Sequence, residues 1–578
     1  MVKNQKLAEN IIETILTLID AVFETGAYLK QGKLEEFQIL GMDMKQVLLT
    51  IKQVAEKEEE ACFLELLKRC KNCLASLKRI LIYVKEENIA QAESKLEFEL
   101  LPLLRLAYIR FYYFGMIEGD QEKEKKFWDE EAVELCKNYY VEQGIKTGHY
   151  KYDITIYITA FNNLEYTKLC VESVLENMPR TLRCELILIN HGSNDGTKEY
   201  FESIQPEKQV DIKINSLDGF LIPALIVEGE FILNISNDVV ISKNSIDLMF
   251  QCMKENNEVA YIVPVTPNIS NLQAIQIQEE KNSYRTLEEF KKKAGQYNKR
   301  EPRKEESRVR LLNPLCMIRA EYWTNSEKTK AYAKMVVEFR TAMFGDDVIS
   351  LYFRRAGYKN ILMKDIYCYH FGSKTVGKTG HNYLDGRKKF YDLYGVDAWE
   401  KGFCWNYSLF QKLICDKADT RSILGINGGM GSDSLKIKEE IKERTGNMQV
   451  RLINYTMEKR FLEDLSGISD QACFVENWED LLEELRGNFD YIIVSGGLEG
   501  NQNYKKYLGQ LEQYLVKDGV MIVQSADKKQ IDWYEQQHNH TERVESTEFL
   551  CCKEESQTQY SVFYKKTEGK GCLEGEIK

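Results

Sequence analysis

The chain is 578 residues long and 43% hydrophobic, with 78 Lys and Arg against 90 Asp and Glu, a formal net charge of −12. That length predicts about three or four domains, and the acidic balance argues against a nucleic-acid partner, which needs clustered positive charge. No signal peptide and no apolar run of the roughly 18–20 residues of a membrane span are read, and fifteen cysteines without a regular framework suit reduced thiols in a cytoplasm.

Residues 1–148 carry helical spacing. Ile11, Ile12, Ile15, Leu16, Ile19, Val22 and Phe23 recur every three or four positions, as do Phe63, Leu64, Leu66, Leu67, Leu74, Leu77, Ile80 and Leu81. The aromatic-rich stretch from Leu101 to Phe114 reads as a core helix. Together these predict an antiparallel helical bundle, with a linker near Gly144–Tyr152. Cys70 and Cys73 lack the second pair that a zinc site needs and are read as structural.

The texture then changes. Ile154, Ile156 and Ile158 alternate as a strand does, running into Thr159-Ala160-Phe161-Asn162. A helical segment with Leu169, Val171, Val174 and Leu175 follows. Next, Glu185 to Asn190 is a continuous apolar run, read as a fully buried parallel strand. It breaks into the polar turn His191-Gly192-Ser193-Asn194-Asp195-Gly196-Thr197. Ligands of such a βαβ unit sit beyond the carboxyl ends of its strands. A further strand from Phe231 ends at Ser236-Asn237-Asp238, which puts a carboxylate at that same edge. Downstream, Asp346 and Asp347 open a helix that stops at Gly357. A strand-like run through Ile361, Leu362, Ile366 and Tyr367 then delivers His370.

In this order the motifs resemble the inverting family 2 glycosyltransferases of the GT-A fold, over roughly residues 152–400. The resemblance implies transfer of a sugar from a nucleotide-sugar donor with inversion. Thr159, Ala160, Phe161, Asn162, Asn190, Ser193, Asn237 and Asp238 would bind the donor. Asp238 and His370 would hold Mn²⁺ or Mg²⁺ against the diphosphate. The family's base motif, counted back from Gly357, lands on Asp346, with Asp347 as the alternative. Asn190 stands where the family usually has an aspartate, and Ser236 where an acid is common, so the base specificity is open and the metal triplet has one carboxylate. The acceptor is a glycan, a lipid-linked sugar or a protein. Asp195 is read as a helix cap in preference to a donor contact. The charged stretch from Glu279 and Lys281 through Lys291–Lys293, Lys299, Arg300, Arg303 and Lys304 to Arg308 and Arg310 reads equally as a basic lid or a solvated helix. Asn271 and Gln273 fall in a polar loop beside the cleft.

From about Lys417 a second α/β pattern begins. Ser422 to Ile426 is a strand, followed by a turn with Gly428, Gly429 and Gly431 and then a helix. Further strands are Val450–Asn454, Phe489 onward and Lys517–Gln524. The order resembles class I S-adenosylmethionine-dependent methyltransferases over roughly 418–565, with Asn454 in place of their ribose-binding acid. No residue for methyl transfer stands out. A retained fold for scaffolding or homo-oligomer contacts is therefore preferred to S-adenosylmethionine binding. The fold expected is α/β multidomain: a helical bundle over 1–148, a GT-A domain over 152–405 and a Rossmann-like methyltransferase-type domain over 417–568. A bifunctional glycosyltransferase and methyltransferase, and a noncatalytic scaffold with a relict sugar site, are the competing readings.

Overall fold

A computed structural model describes residues 2–274, 287–339, 344–372, 383–400, 402–538, 541–550 and 555–566. The amino-terminal helices Gln5–Lys30, Leu34–Ala55 and Ala61–Lys85 form the expected bundle. In the first, Ala8, Ile11, Ile15, Leu18 and Val22 are buried at helical spacing, while Leu16 and Phe23 are exposed. Asn4 caps this helix by accepting from the Leu7 N–H.

The stretch read as a core helix is part of a longer one, Ile89–Ile117, with wider turns at Leu96–Leu100 and Tyr113–Ile117. By length and composition alone it could cross a membrane: it spans 29 residues, and its most apolar 18-residue window has a mean hydropathy of 1.2. Of its most apolar window, 72% is buried inside the protein, where Leu103, Leu104, Leu106 and Phe111 fill the bundle.

The central sheet is built from β1 (Tyr152–Ala160), β2 (Cys184–Asn190), β3 (Lys208–Asp211), β4 (Gly229–Ser236), β6 (Val259–Val265), β7 (Glu305–Ser307), β8 (Leu315–Arg319) and β9 (Lys359–Tyr367). A separate two-stranded ribbon joins β5 (Val239–Val240) to β10 (Tyr369–His370). The sheet order is β3-β2-β1-β4-β8-β6-β9-β7. The first four are parallel neighbours, β8 runs antiparallel between β4 and β6, and β6 pairs parallel with β9. This is a mixed GT-A-like sheet. Alternation along β1 sorts its residues between two cores: Ile154, Ile156 and Ile158 join one, and Tyr157 joins the other. That second core also contains the buried bundle residues, so helices and sheet share one continuous apolar interior. The polypeptide between them is short, with Gly148 ending the helix Tyr139–Thr147 at φ +68°.

The carboxyl-terminal sheet comprises β11 (Ser422–Ile426), β12 (Arg451–Thr456), β13 (Gln471–Phe474), β14 (Phe489–Val494), β15 (Leu515–Ser525), β16 (Glu542–Leu550) and β17 (Glu555–Lys565). Their order is β13-β12-β11-β14-β15-β17-β16, parallel up to β15 and antiparallel beyond it. The sequence predicts a second strand that stops at Asn454, but β12 runs on to Thr456. Tyr455 and Thr456 favour a pleated strand and extend the run. Asn454 therefore lies within the sheet opposite Gly425, not at its edge. It is buried, accepting from Ser434 Oγ (2.9 Å) and donating to Ser469 Oγ (2.8 Å).

Candidate active site

The parallel register aligns the strand ends: Ala160 lies opposite Asn190, and Thr159 opposite Ser236. Past the end of β1, Phe161 and Asn162 are partly buried, and Asn162 and Asn163 take positive φ angles of 54° and 59°. Asparagine tolerates that left-handed backbone better than most residues. The turn is then knitted to the one after β2. The Asn162 N–H donates to Ser193 Oγ (2.9 Å), Asn162 Oδ1 accepts from the Asn194 N–H (3.0 Å), and Asn190 Oδ1 accepts from the Ser193 N–H (2.9 Å).

Asn237 is tied in as well. Its amide donates to the Asn162 carbonyl (3.2 Å) and to Thr167 Oγ1 (2.9 Å), so the β4 end braces the β1 turn. Asp195 accepts from the Leu164 N–H (2.9 Å) and from the Thr197 N–H (3.2 Å) and hydroxyl (2.6 Å). It thus serves the starts of two helices, as a capping carboxylate does.

The ribbon of β5 and β10 performs the longest-range juxtaposition. His370 pairs with Val239, the residue after Asp238, and the Phe371 N–H donates to the Asp238 carbonyl (3.0 Å). This sets His370 Nε2 3.5 Å from Asp238 Oδ2, both residues buried. Asn268, at φ +56°, secures the far side by donating to the His370 carbonyl (2.9 Å). A carboxylate oxygen and an imidazole nitrogen this close fit a divalent cation that accepts both ligand types. Among the described residues no group of three or more His, Cys, Asp or Glu is placed to hold a metal.

Asp346 and Asp347 open the helix Gly345–Arg355, preceded by Phe344 at φ +67°. Their environments differ. Asp347 is buried and receives both arms of the Arg310 guanidinium, Nε to Oδ1 and Nη2 to Oδ2 (3.0 Å). Asp346 has its Oδ1 3.2 Å from the Asp347 N–H. Burial, and then the adjoining Asp347 charge, push the Asp346 carboxyl up to about 7, with Arg310 opposing. Burial also raises Asp347, against the pull of Arg310. An acid poised near neutrality suits proton transfer. The two acids thus differ in their surroundings: Arg310 clamps Asp347 with both arms, while burial and the Asp347 charge raise the Asp346 carboxyl.

Two features were not read from the sequence. Arg310 was grouped with the charged stretch and not with the acid pair. The bundle also reaches the β2–β3 edge. Asn190 Nδ2 donates to Asp211 Oδ1 (3.4 Å), and Lys95 Nζ lies 2.8 Å from Asp211 Oδ2 and 3.1 Å from Glu99. Arg79 pairs with Glu99 and donates to the Asp211 carbonyl (2.7 Å). The signal available was a Lys95–Glu99 pair at helical i,i+4 spacing.

The basic stretch resolves into pairs where it is described. Lys291 meets Glu176 (2.6 Å), Lys293 meets Glu289 (3.2 Å), and Arg300 meets Glu255 (2.6 Å) and Glu305 (2.8 Å). Glu279 and Lys281 lie outside the described residues. Asn271 and Gln273 brace the 310–312 backbone: Asn271 donates to the Arg310 carbonyl (2.8 Å) and Gln273 to that of Leu312 (2.9 Å).

Residues 155–308 match the family model for glycosyl transferase family 2. This segment is a family 2 glycosyl transferase domain. No curated protein matches the chain. Among solved structures, residues 1–349 of S. aureus TarS in complex with UDP-GlcNAc are similar at 13% identity and a TM-score of 0.31, covering 42% of this chain and 66% of that one. The mannosyltransferase PcManGT of Pyrobaculum calidifontis, in complex with GDP-Man and Mn²⁺, is similar at 13% identity and 0.27, covering 50% and 71%. A precorrin-6y C5,15-methyltransferase of Geobacter metallireducens is similar at 14% identity and 0.19, covering 25% and 80%. The chain thus spans slightly under two thirds of the TarS fragment. The glycosyl transferase assignment rests on the matched segment and on the residues its strand ends bring together.

Proposed function

We propose that the protein is a metal-dependent, inverting glycosyltransferase that moves a sugar from a nucleotide-sugar donor to a hydroxyl of a glycan, lipid-linked or protein acceptor. The observation that carries this reading is the Asp238–His370 pair, assembled by the β5/β10 ribbon at the end of a family 2 strand. Asp238 and His370 would hold Mn²⁺ or Mg²⁺, and a bound cation would neutralise charge on the departing diphosphate.

The chain's own residues do the rest. Thr159, Ala160, Phe161, Asn162 and Ser193 line the donor pocket, and Asn190, steadied by Asp211, sits beneath the nucleobase. Asn237 acts through Asn162, whose turn it braces. Asp346 accepts the proton of the acceptor hydroxyl. That oxygen then bonds the anomeric carbon from the face opposite the leaving group, as the bond from carbon to the diphosphate oxygen breaks. Arg310 clamps Asp347 beside it.

A panel of nucleotide sugars tests this, scored for transfer and slow hydrolysis with Mn²⁺, Mg²⁺ or chelator. One donor turned over in a metal-dependent way by wild type, and not by Asp346→Asn, is the expected result. No turnover or binding of any donor by well-folded protein would contradict it.

A further inference from the structure

The glycine-rich turn of the carboxyl-terminal sheet, between β11 and the helix Ser432–Thr445, is where a Rossmann-like fold offers free backbone N–H groups to a cofactor. Here the chain covers that turn with its own backbone. Gly402, at φ +77°, lies so close that a Cβ would collide with the Gly428 carbonyl oxygen and stand 2.7 Å from the Met430 nitrogen. Its carbonyl accepts from the Ser432 N–H (3.1 Å), at the first turn of the helix. Four residues on, the Asn406 N–H donates to Asp433 Oδ1 (2.7 Å), and its side-chain amide donates to Ser546 Oγ (3.1 Å).

Between these two anchors the segment turns its aromatic side chains to the glycosyl transferase domain. The Phe403 ring lies 5.4 Å from the Arg310 guanidinium, and Trp405 lies 5.6 Å from that of Arg308 and 4.7 Å from Lys436 Nζ. Arg310, Phe403 and Ser432 line one narrow cleft between the two sheets. The contacts therefore run without a break from the glycine turn through Gly402, Phe403 and Arg310 to Asp347 and Asp346.

We infer that residues 402–406 occupy the cofactor place on the carboxyl-terminal turn and make that sheet a seat for the acid pair, with Phe403 and Arg310 as positioning residues. The inference rests on Asp346 being the base. An arginine fork stacked on an aromatic face is held at one angle, which fixes which carboxylate it clamps. The titratable groups facing the pair from other elements are Arg310, Tyr261 of β6, Cys316 of β8 and, beside Arg310, Cys404. Burial raises the tyrosine and both thiols, so among these described groups Arg310 is the one that brings charge to the acids near neutral pH.

The test is the pH dependence of turnover in the full chain, with Asp346→Asn as reference. Arg310→Gln removes the opposing charge, so the limb on which activity rises with pH should move up by about one unit. Phe403→Ala should move it in the same direction by less, with donor KM unchanged, and Phe403→Leu should restore part of the shift. Titration of wild type with S-adenosylmethionine should show no saturable binding. Inactive Asp346→Asn together with unshifted Arg310→Gln and Phe403→Ala profiles would overturn the positioning role alone. Saturable S-adenosylmethionine binding would overturn the occupied turn. Full activity in Asp346→Asn would overturn the base assignment, and this inference with it.

Discussion

The molecule contains two sheets with the same local grammar, strand into polar turn into helix, and they use it differently. At the central sheet, Asp238 at a strand end meets His370 from the β5/β10 ribbon, and Asp346 and Asp347 open a helix beside Arg310, the side chains proposed to bind a cation and move a proton. At the carboxyl-terminal sheet, the comparable turn is filled by Gly402, and the polar residue expected at its edge, Asn454, lies inside the sheet between two serine hydroxyls. A glycine-rich turn is thus a permissive backbone and not yet a site. What decides is whether chemistry-bearing side chains converge there or another piece of the chain covers it.

The largest effect that sharpens this contrast is expected from Asp346→Asn. Loss of a general base should lower kcat by about 10²–10⁴-fold, read by steady-state kinetics. The same substitution should stabilise the fold above acidic pH. Because the Asp346 carboxyl is raised from 3.8 to about 7 in the folded protein, the unfolded chain releases that proton first. Wild type therefore loses stability as pH rises from about 4 to about 7, and the asparagine variant does not. Thermal melts at pH 5 and pH 8 should show the variant's advantage growing with pH.

A comparable loss, but in binding, is expected from Asp238→Ala. Removing one of two protein ligands should weaken metal-dependent donor binding by about 100-fold or more, with unchanged melting. Next is Lys95→Met, which leaves Asp211 and Glu99 buried without their shared cation. Breaking such a network costs about 3–5 kcal/mol, readable as a lowered denaturant midpoint. It should also raise donor KM, because Asp211 steadies Asn190. The smallest is Asp195→Ala, which removes helix-start contacts at Leu164 and Thr197 and should cost about 1 kcal/mol.

Much of this architecture was legible because its signals are local. The alternation of Ile154, Ile156 and Ile158, the apolar run ending at Asn190 and the helix opening at Asp346 each depend on nearest neighbours along the chain, and each forms as read. The approach of His370 to Asp238 was legible only through the resemblance, since a ribbon between residues so far apart leaves no periodic trace. What was missed lies between elements. Arg310 looked like one more basic residue of a charged stretch until the fold laid it on Asp347. Lys95 and Arg79 belong to the bundle in sequence, yet their charges are satisfied at β3. The end of β12 was misplaced by two residues because Tyr455 and Thr456 suit a strand as well as the residues before them.

The most direct single measurement is calorimetric titration of the full-length protein with a donor nucleotide, UDP or GDP, in the presence and absence of Mn²⁺, alongside S-adenosylmethionine. Saturable, Mn²⁺-dependent binding of one nucleotide that is lost in Asp238→Ala is expected, with no binding of S-adenosylmethionine. Binding of S-adenosylmethionine with no metal-dependent nucleotide binding would reverse the roles of the two sheets and contradict the proposed function.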